Sequence, residues 1–326
     1  MKTGTRNTKI VVIGGGTGSF ALLSGLKHHY KNLTALVSMA DSGGSTGRLR
    51  DELGVLPPGD VRKCLVALAN VPQMRDLFNY RFSNGTLDGH SFGNIFLSTV
   101  EKMTDNFTEA VDLAGKLLNI TGRVLPVTKD KTTLVIEQPG GETIRGEAAL
   151  DHQALHLDHP NVHLEPKARL TPEGKQAILE ADAIIIAPGS LYGSLAAVLV
   201  VEGVAKALAK SKAKKIYICN LATEPGQTND FKVHDFVGEI ERFLDQKVAL
   251  DYVLYNTHRP EPKLMKRYMS QQQFLVEYDD AQFAGQHYQA IGGNYVAEHV
   301  GPIAHAKFIR HNTEAMIDTL HNICRK

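Results

Sequence analysis

The sequence predicts an α/β protein built on a mostly parallel sheet, and three observations predict it. Short, doubly apolar runs such as Lys9–Ile13 and "LTALVSMA" alternate with helix-length segments, the pattern of strands covered on both faces. Glycine-rich loops follow several of those runs. No internal repeat, low-complexity tract or long flexible linker interrupts the alternation, so the 326 residues read as one domain, 1–326.

The elements follow in order. Lys9–Ile13 is a buried strand leading through a glycine turn into a helix from about Ser19 to His29, and Leu33–Ala40 is the next strand. After "LGVLPPGD" a helix over Val61–Asn70 is expected, with Asp60 as its N-cap. "HSFGNIFLSTVEKM" reads as a loop entering a helix. From about 121 to 166 the texture turns β-rich around "QPGG", a hairpin signal, and marks an insert within the domain. Alternation then resumes with helix Pro172–Glu180, strand Ala183–Ala187, and a helix from about Leu195 to Lys210. Strand Lys215–Cys219, a helix near Val233–Leu244 and the strand "VALDYVLYN" come next. "AKFIR" fits a strand, and Thr313 onward fits a terminal helix.

Composition narrows the function. Hydrophobic content of 43%, charged content of 22% and a net charge of +1 describe a globular chain with no global field for nucleic acid or an anionic membrane. Three dispersed cysteines without a CxxC pair suit a reducing compartment. The N-terminus lacks a signal-peptide pattern, and "LAAVLVVEGVAKAL" is too short to span a bilayer, so a cytoplasmic protein is expected.

The chemistry concentrates in glycine-rich loops. Gly14–Gly18 lies between strand and helix, where freed main-chain N–H groups at a helix N-terminus bind anions; Thr17 and Ser19 add hydroxyls. The dinucleotide fingerprint is met in the register Gly16, Gly18, Ala21, and Asp41 stands about 20 residues on, where a ribose-binding acid belongs. That favours NAD. The next residues, Ser42, Gly43, Gly44 and Ser45, instead form a second nest followed by Arg48, which suits a nucleoside diphosphate carrying a further group. "IIIAPGSLYGSL" presents Gly189, Ser190 and Tyr192 at a strand end, and "IYICNLATEPGQT" presents Asn220, Thr223, Glu224 and Gly226. In an open parallel sheet such loops share one cleft beyond the carboxyl ends of the strands.

Individual residues have competing readings. Asp41 binds a ribose, holds Mg²⁺ against a diphosphate, or caps the turn. Arg48 and Arg50 face either the ligand or, through "RLRDEL", solvent. Asn94 and Asn220 present a donor and an acceptor to a base or sugar, or shape turns. Arg310 suits bidentate phosphate recognition or a surface ion pair. His152, His156, His159 and His163 have helical spacing, but Pro160 interrupts it, and metal binding there is not expected. The P-loop, HExxH and G-x-S-x-G patterns are absent.

"IVVIGGGTG", "ADSGGSTGRLRDEL", "PPGDVRKCL", "HSFGN", "APGSLYGS" and "ICNLATEPGQT" together resemble the CofD-like superfamily, most of all its bacterial gluconeogenesis-factor (YvcK-type) branch. The resemblance runs from about Lys9 to "FIRHNTEAM". It implies a Rossmann-like three-layer α/β/α fold and a cytoplasmic protein that binds UDP-activated sugars, notably UDP-N-acetylglucosamine. It further implies a role in cell shape and cell-wall precursor supply under gluconeogenic growth. By the same resemblance Arg310 belongs to the UDP-sugar site and Thr313 is a candidate for phosphorylation by a Ser/Thr kinase. Ser42 stands where a second aspartate is common in the branch, which weakens a two-carboxylate Mg²⁺ site.

Two enzymatic readings stay beside this binding factor. The founding branch transfers a 2-phospho-lactyl group from a guanylyl donor to a deazaflavin alcohol, with Asp41 and Mg²⁺ stabilising leaving charge. An NAD(P)-dependent oxidoreductase rests on the fingerprint and Asp41 alone. Expected partners are a small nucleotide sugar, a cell-wall precursor enzyme and a Ser/Thr kinase, with a homo-oligomer left open and no nucleic acid or membrane.

Overall fold

The computed structural model describes residues 7–151, 153–155, 159–300 and 307–325. His152 and His156 fall outside them. Seven strands form the central sheet: β1 (Ile10–Gly14), β2 (Leu33–Val37), β3 (Arg123–Pro126), and, after the insert, β7 (Ala183–Ile186), β8 (Lys214–Ile218), β9 (Tyr252–Asn256) and β10 (Gln289–Gly293). Their order is β10-β9-β8-β7-β1-β2-β3, and every pairing is parallel. The insert supplies β4 (Thr133–Glu137), β5 (Thr143–Arg145) and β6 (Asn161–Glu165), an antiparallel sheet of order β5-β4-β6. A hairpin of β11 (Val296–Val300) and β12 (Lys307–His311) precedes the last helix.

β1 lies inside the sheet, between β7 and β2, because its residues are apolar on both faces. Ile10, Val11, Val12 and Ile13 are at most 2% exposed, each burial contributing roughly 1.5–3 kcal/mol. The helices fall into two mutually packed groups. α1 (Gly16–Leu26), α3 (Gly59–Leu68), α5 (Phe92–Thr104) and α6 (Phe107–Leu118) pack together, and the C-terminal helix Thr313–Arg325 joins them on α1. In chain order α2 (Gly44–Leu53) comes before α3, and α4 (Pro72–Asn79) comes between α3 and α5. After the insert, α7 (Pro172–Glu180), α8 (Ala196–Leu199), α9 (Val204–Lys210) and α10 (Val233–Phe243) form the other group. The result is a three-layer α/β/α fold. No described helix is long and apolar enough to cross a membrane.

The structure adjusts three expectations. β3 pairs with β2 through Thr34↔Arg123, so the insert begins after Pro126, not at 121. The helix expected over Leu195–Lys210 is a π-helical turn over Leu191–Leu195, then α8, then α9. The break falls where Glu202 exchanges backbone hydrogen bonds with Ala168 and Leu170. Asp60 is not an N-cap: α3 begins at Gly59, and the Asp60 carboxylate makes no capping bond.

The topology fixes where a ligand belongs. The chain runs outward from β1 to β2 and β3, then returns to place β7 on the other flank of β1. The tips of β1 and β7 therefore form a topological switch point, where crevices open in sheets of this kind.

Candidate functional site

The loop after β1 turns at Gly16, whose φ of +67° favours glycine, and α1 starts there with no side-chain cap and no acid in its first turn. Among the described residues no side chain caps its first N–H groups. Gly18 lies so close to the loop after β7 that a Cβ would stand 1.9 Å from the Pro188 carbonyl oxygen. Only glycine lets the two tips meet.

Two adjoining cavities open at this junction. One, of 510 Å³, is lined by Gly16, Asp41, Gly43, Ser190 and Ser194, with Asp60, Lys63, Glu147 and Gln227 around them. The second, of 380 Å³, is lined by Thr17, Gly18, Gly189, Asn220, Thr223 and Arg310. Ser190, Glu224 and Gln273 line both, so the two are lobes of one cleft. The tips of β1, β2, β7 and β8 thus converge as expected.

The lobes differ in charge. Arg310 is the sole Lys or Arg lining the second lobe among the described residues. Its Nη1 donates to the Ile309 carbonyl at 3.0 Å. His311 beside it is held neutral at ordinary pH, because burial pushes its pKa down to about 4. The first lobe is acidic. Burial and then the Asp60 charge raise the Asp41 pKa above the usual carboxylate range. Burial, then Asp41 and Asp60, push Glu147 up to about 8. Lys63 sits 3.1 Å from Asp60; burial opposes its charge, but the two acids outweigh that and raise its pKa. Gln227, 6% exposed, keeps a buried Oε1 that has no hydrogen-bond partner among the described residues.

Among the described residues no group of three or more His, Cys, Asp and Glu side chains is placed to hold a metal ion. The carboxyl groups of the first lobe, Asp41, Asp60, Glu147 and Glu224, are not gathered into such a set. His159 and His163 diverge, one bonded to Glu239 and the other, on β6, to Glu165.

Several of the expected ligand residues are engaged by internal partners. Asp41 Oδ1 accepts from Gly43 N at 2.9 Å, closing the turn. Ser42 Oγ accepts from Ala148 N at 3.0 Å and so ties the insert to the β2 tip. Ser45 is buried and bonds His90 at 3.0 Å, while Gly44, its neighbour, lies outside the cleft lining. Asn94 is used at both ends, accepting from Arg62 Nε at 2.9 Å and donating to Ser45 at 3.2 Å. Arg48 donates to the Asp88 carbonyl at 2.8 Å and does not line the cleft. Tyr192 is fully buried; its hydroxyl donates to Glu239 at 3.0 Å, behind the loop that carries Ser190. Gly15 sits over Asp60 at the start of α1.

Others support the cleft from within. Asn220 Nδ2 donates to the Gly189 carbonyl at 2.9 Å and fixes the β7 loop to the β8 loop. Thr223 exchanges bonds with Phe274 backbone at 2.7 and 3.0 Å, bringing Gln273 to both lobes. Thr313 begins the last helix against Gly25 of α1, outside the cleft lining.

The comparisons fit this geometry. The profile of the family described as 2-phospho-L-lactate transferase CofD matches residues 10–296. The chain belongs to the CofD family. Within that family it is similar to a putative gluconeogenesis factor of Thermotoga maritima, 41% identical over 97% of this chain and 99% of that one. A putative gluconeogenesis factor of Clostridium acetobutylicum is 40% identical over 97% of this chain and 69% of its own. The gluconeogenesis factor of Bacillus subtilis is 39% identical over 83% of this chain and 86% of its own. A Bacillus halodurans crystal structure of the UPF0052 family superposes with a TM-score of 0.90 at 34% identity, covering 98% of this chain and 100% of that one. This CofD-family chain is therefore a gluconeogenesis-related factor by kinship, with the family's transferase name beside it.

Proposed function

We propose that the protein is a cytoplasmic regulatory factor that binds a UDP-activated sugar, UDP-N-acetylglucosamine or a close relative, in this cleft. The carrying observation is the split polarity of the two lobes. Main-chain amides of Gly16–Gly18 and the Arg310 guanidinium suit a diphosphate at and beyond the switch point. The first lobe, rich in carboxyl groups, offers hydrogen-bond donors and acceptors to sugar hydroxyl or amide groups. A ligand with one phosphorylated half and one polyhydroxylated half matches both. In this reading Asp41, which lines the first lobe, and Gln273, which lines both, contact ligand groups other than the diphosphate.

Ligand binding then shifts the population of a state that engages a partner, in this reading an enzyme of cell-wall precursor supply, and so couples cell shape to gluconeogenic growth. A Ser/Thr kinase acting on Thr313 is a second input, since a phosphate at a helix N-terminus is favourable. Mass spectrometry finding Thr313 unmodified after incubation with a cognate kinase removes that input. Calorimetry tests the core reading: UDP-N-acetylglucosamine binds, and Arg310→Ala weakens it roughly tenfold to a hundredfold. Equal affinity in the variant takes Arg310 out of the site.

One observation favours a second reading, a 2-phospho-L-lactate-type transferase. Glu147, holding its proton at neutral pH beside Lys63 and Asp41, has the properties of a general acid or base. Any Mg²⁺ in such a reaction arrives with the donor's phosphates. Turnover of a guanylyl-phospholactate donor with a deazaflavin alcohol establishes this reading; no turnover with UDP-sugar binding intact removes it.

A further inference from the structure

A cavity larger than either lobe lies outside the cleft. It is a groove of 1010 Å³ between α7, α9, the end of α10 and β6, and it shares no lining residue with either lobe. Six Lys and Arg side chains line it against only two acids, Glu202 and Asp245. Three of the cations are already paired. Arg169 lies 3.5 Å from Glu202, Lys247 lies 3.0 Å from Asp245, and Arg242 lies 2.6 Å from Glu239.

Lys175 on α7, with Lys206 and Lys210 on α9, is left over. All three are exposed, and among the described residues none has an ion pair or hydrogen bond at its ammonium group. Lys206 and Lys210 stand one helical turn apart and so share a face. The floor beneath them is apolar, with Leu199, Val201 and Phe243 buried and Leu179 41% exposed at the rim. Along one wall runs β6, which among the described residues pairs only with β4 and contributes Asn161 and His163 to the groove.

We propose that this groove docks an extended acidic segment of a partner protein. Charge complementarity selects an anion, because three unpaired lysines face a groove whose acids are spent on other cations. Exposed ammonium groups hold a single compact anion weakly. An extended chain collects all three at once and covers the apolar floor with its alternate side chains, with the open edge of β6 beside it. Its rim charges act mainly on encounter and register, so binding is salt-sensitive. The proposal stands independently of what the cleft binds.

The test is fluorescence anisotropy of a labelled peptide of alternating Glu and Val, titrated with the full chain. The peptide is expected to bind at low salt and to weaken as salt rises. The triple variant Lys175→Glu, Lys206→Glu, Lys210→Glu is expected to lose about tenfold or more in affinity. A neutral triple variant, Lys→Gln at the same exposed positions, is expected to show a smaller loss with an unchanged melting temperature, which separates the contact from misfolding. No binding, or equal binding by wild type and both variants, overturns the proposal. Inorganic tripolyphosphate or phosphatidylglycerol vesicles binding through these lysines while the peptide does not also overturns it.

Discussion

At the residue scale, Gln227 is where the cleft most plainly lacks a partner. A buried acceptor left unsatisfied costs about 1–3 kcal/mol, and replacing it by an apolar group of similar size removes that cost. Gln227→Leu is expected to leave the melting temperature of the free protein unchanged or higher and to weaken nucleotide-sugar binding by about tenfold. Thermal melts and calorimetry on the same sample check both halves; a variant that binds as wild type places Gln227 outside recognition. Sequence patterns showed little of this residue. They marked the loop "TEPGQT" through its strand-end position, but which side chain is stranded depends on neighbours far away in the chain. Asn94, Ser45 and Tyr192 fail in the opposite direction. Each has the right chemistry for a ligand, and each is consumed by internal partners, Arg62, His90 and Glu239 respectively. Asp60 was legible as an acid at a helix start, but its role was not: Lys63, one turn on, and Glu147 from the insert give it its surroundings.

At the element scale, the insert is more than an excursion from the sheet. The short 3-10 turn Glu147–Asp151 brings Glu147 onto Ser194, 3.0 Å away, while Ala148 N–H reaches Ser42. The insert thereby closes the acidic lobe over the tips of β2 and β7. Glu147 ties that closure to pH. Its folded pKa of about 8 lies above the ordinary carboxylate value, so the folded state keeps a proton that the unfolded chain releases. Stability conferred by this group is therefore whole below the ordinary carboxylate range and falls as pH climbs toward about 8. Glu147→Gln, which keeps the acceptor for Ser194, is expected to flatten that slope and to exceed wild type by roughly 1–4 kcal/mol near pH 9. Urea unfolding across pH checks it, and parallel slopes in the two proteins contradict it. The hairpin at "QPGG" was readable from local turn chemistry. The broken helix after β7 was not, because Glu202 is diverted by backbone bonds to Ala168 and Leu170 that no local pattern announces.

At the scale of the whole molecule, alternation of apolar strands and helices carried the α/β class, and glycine-rich loops at strand ends carried the position of the cleft. Strand order was beyond periodicity, since nothing in Ala183–Ile186 says that it returns to β1 rather than extending beyond β3. That return makes the switch point and lets Gly18 meet Pro188. The central claim is that main-chain amides from separate strand tips act together on one diphosphate. An amide-resolved NMR titration with UDP-N-acetylglucosamine tests it most directly. The account predicts that Gly16, Thr17, Gly18, Gly189 and Ser190 shift together and saturate at one concentration. Shifts confined to one of those loops, or gathered outside the cleft, would contradict it.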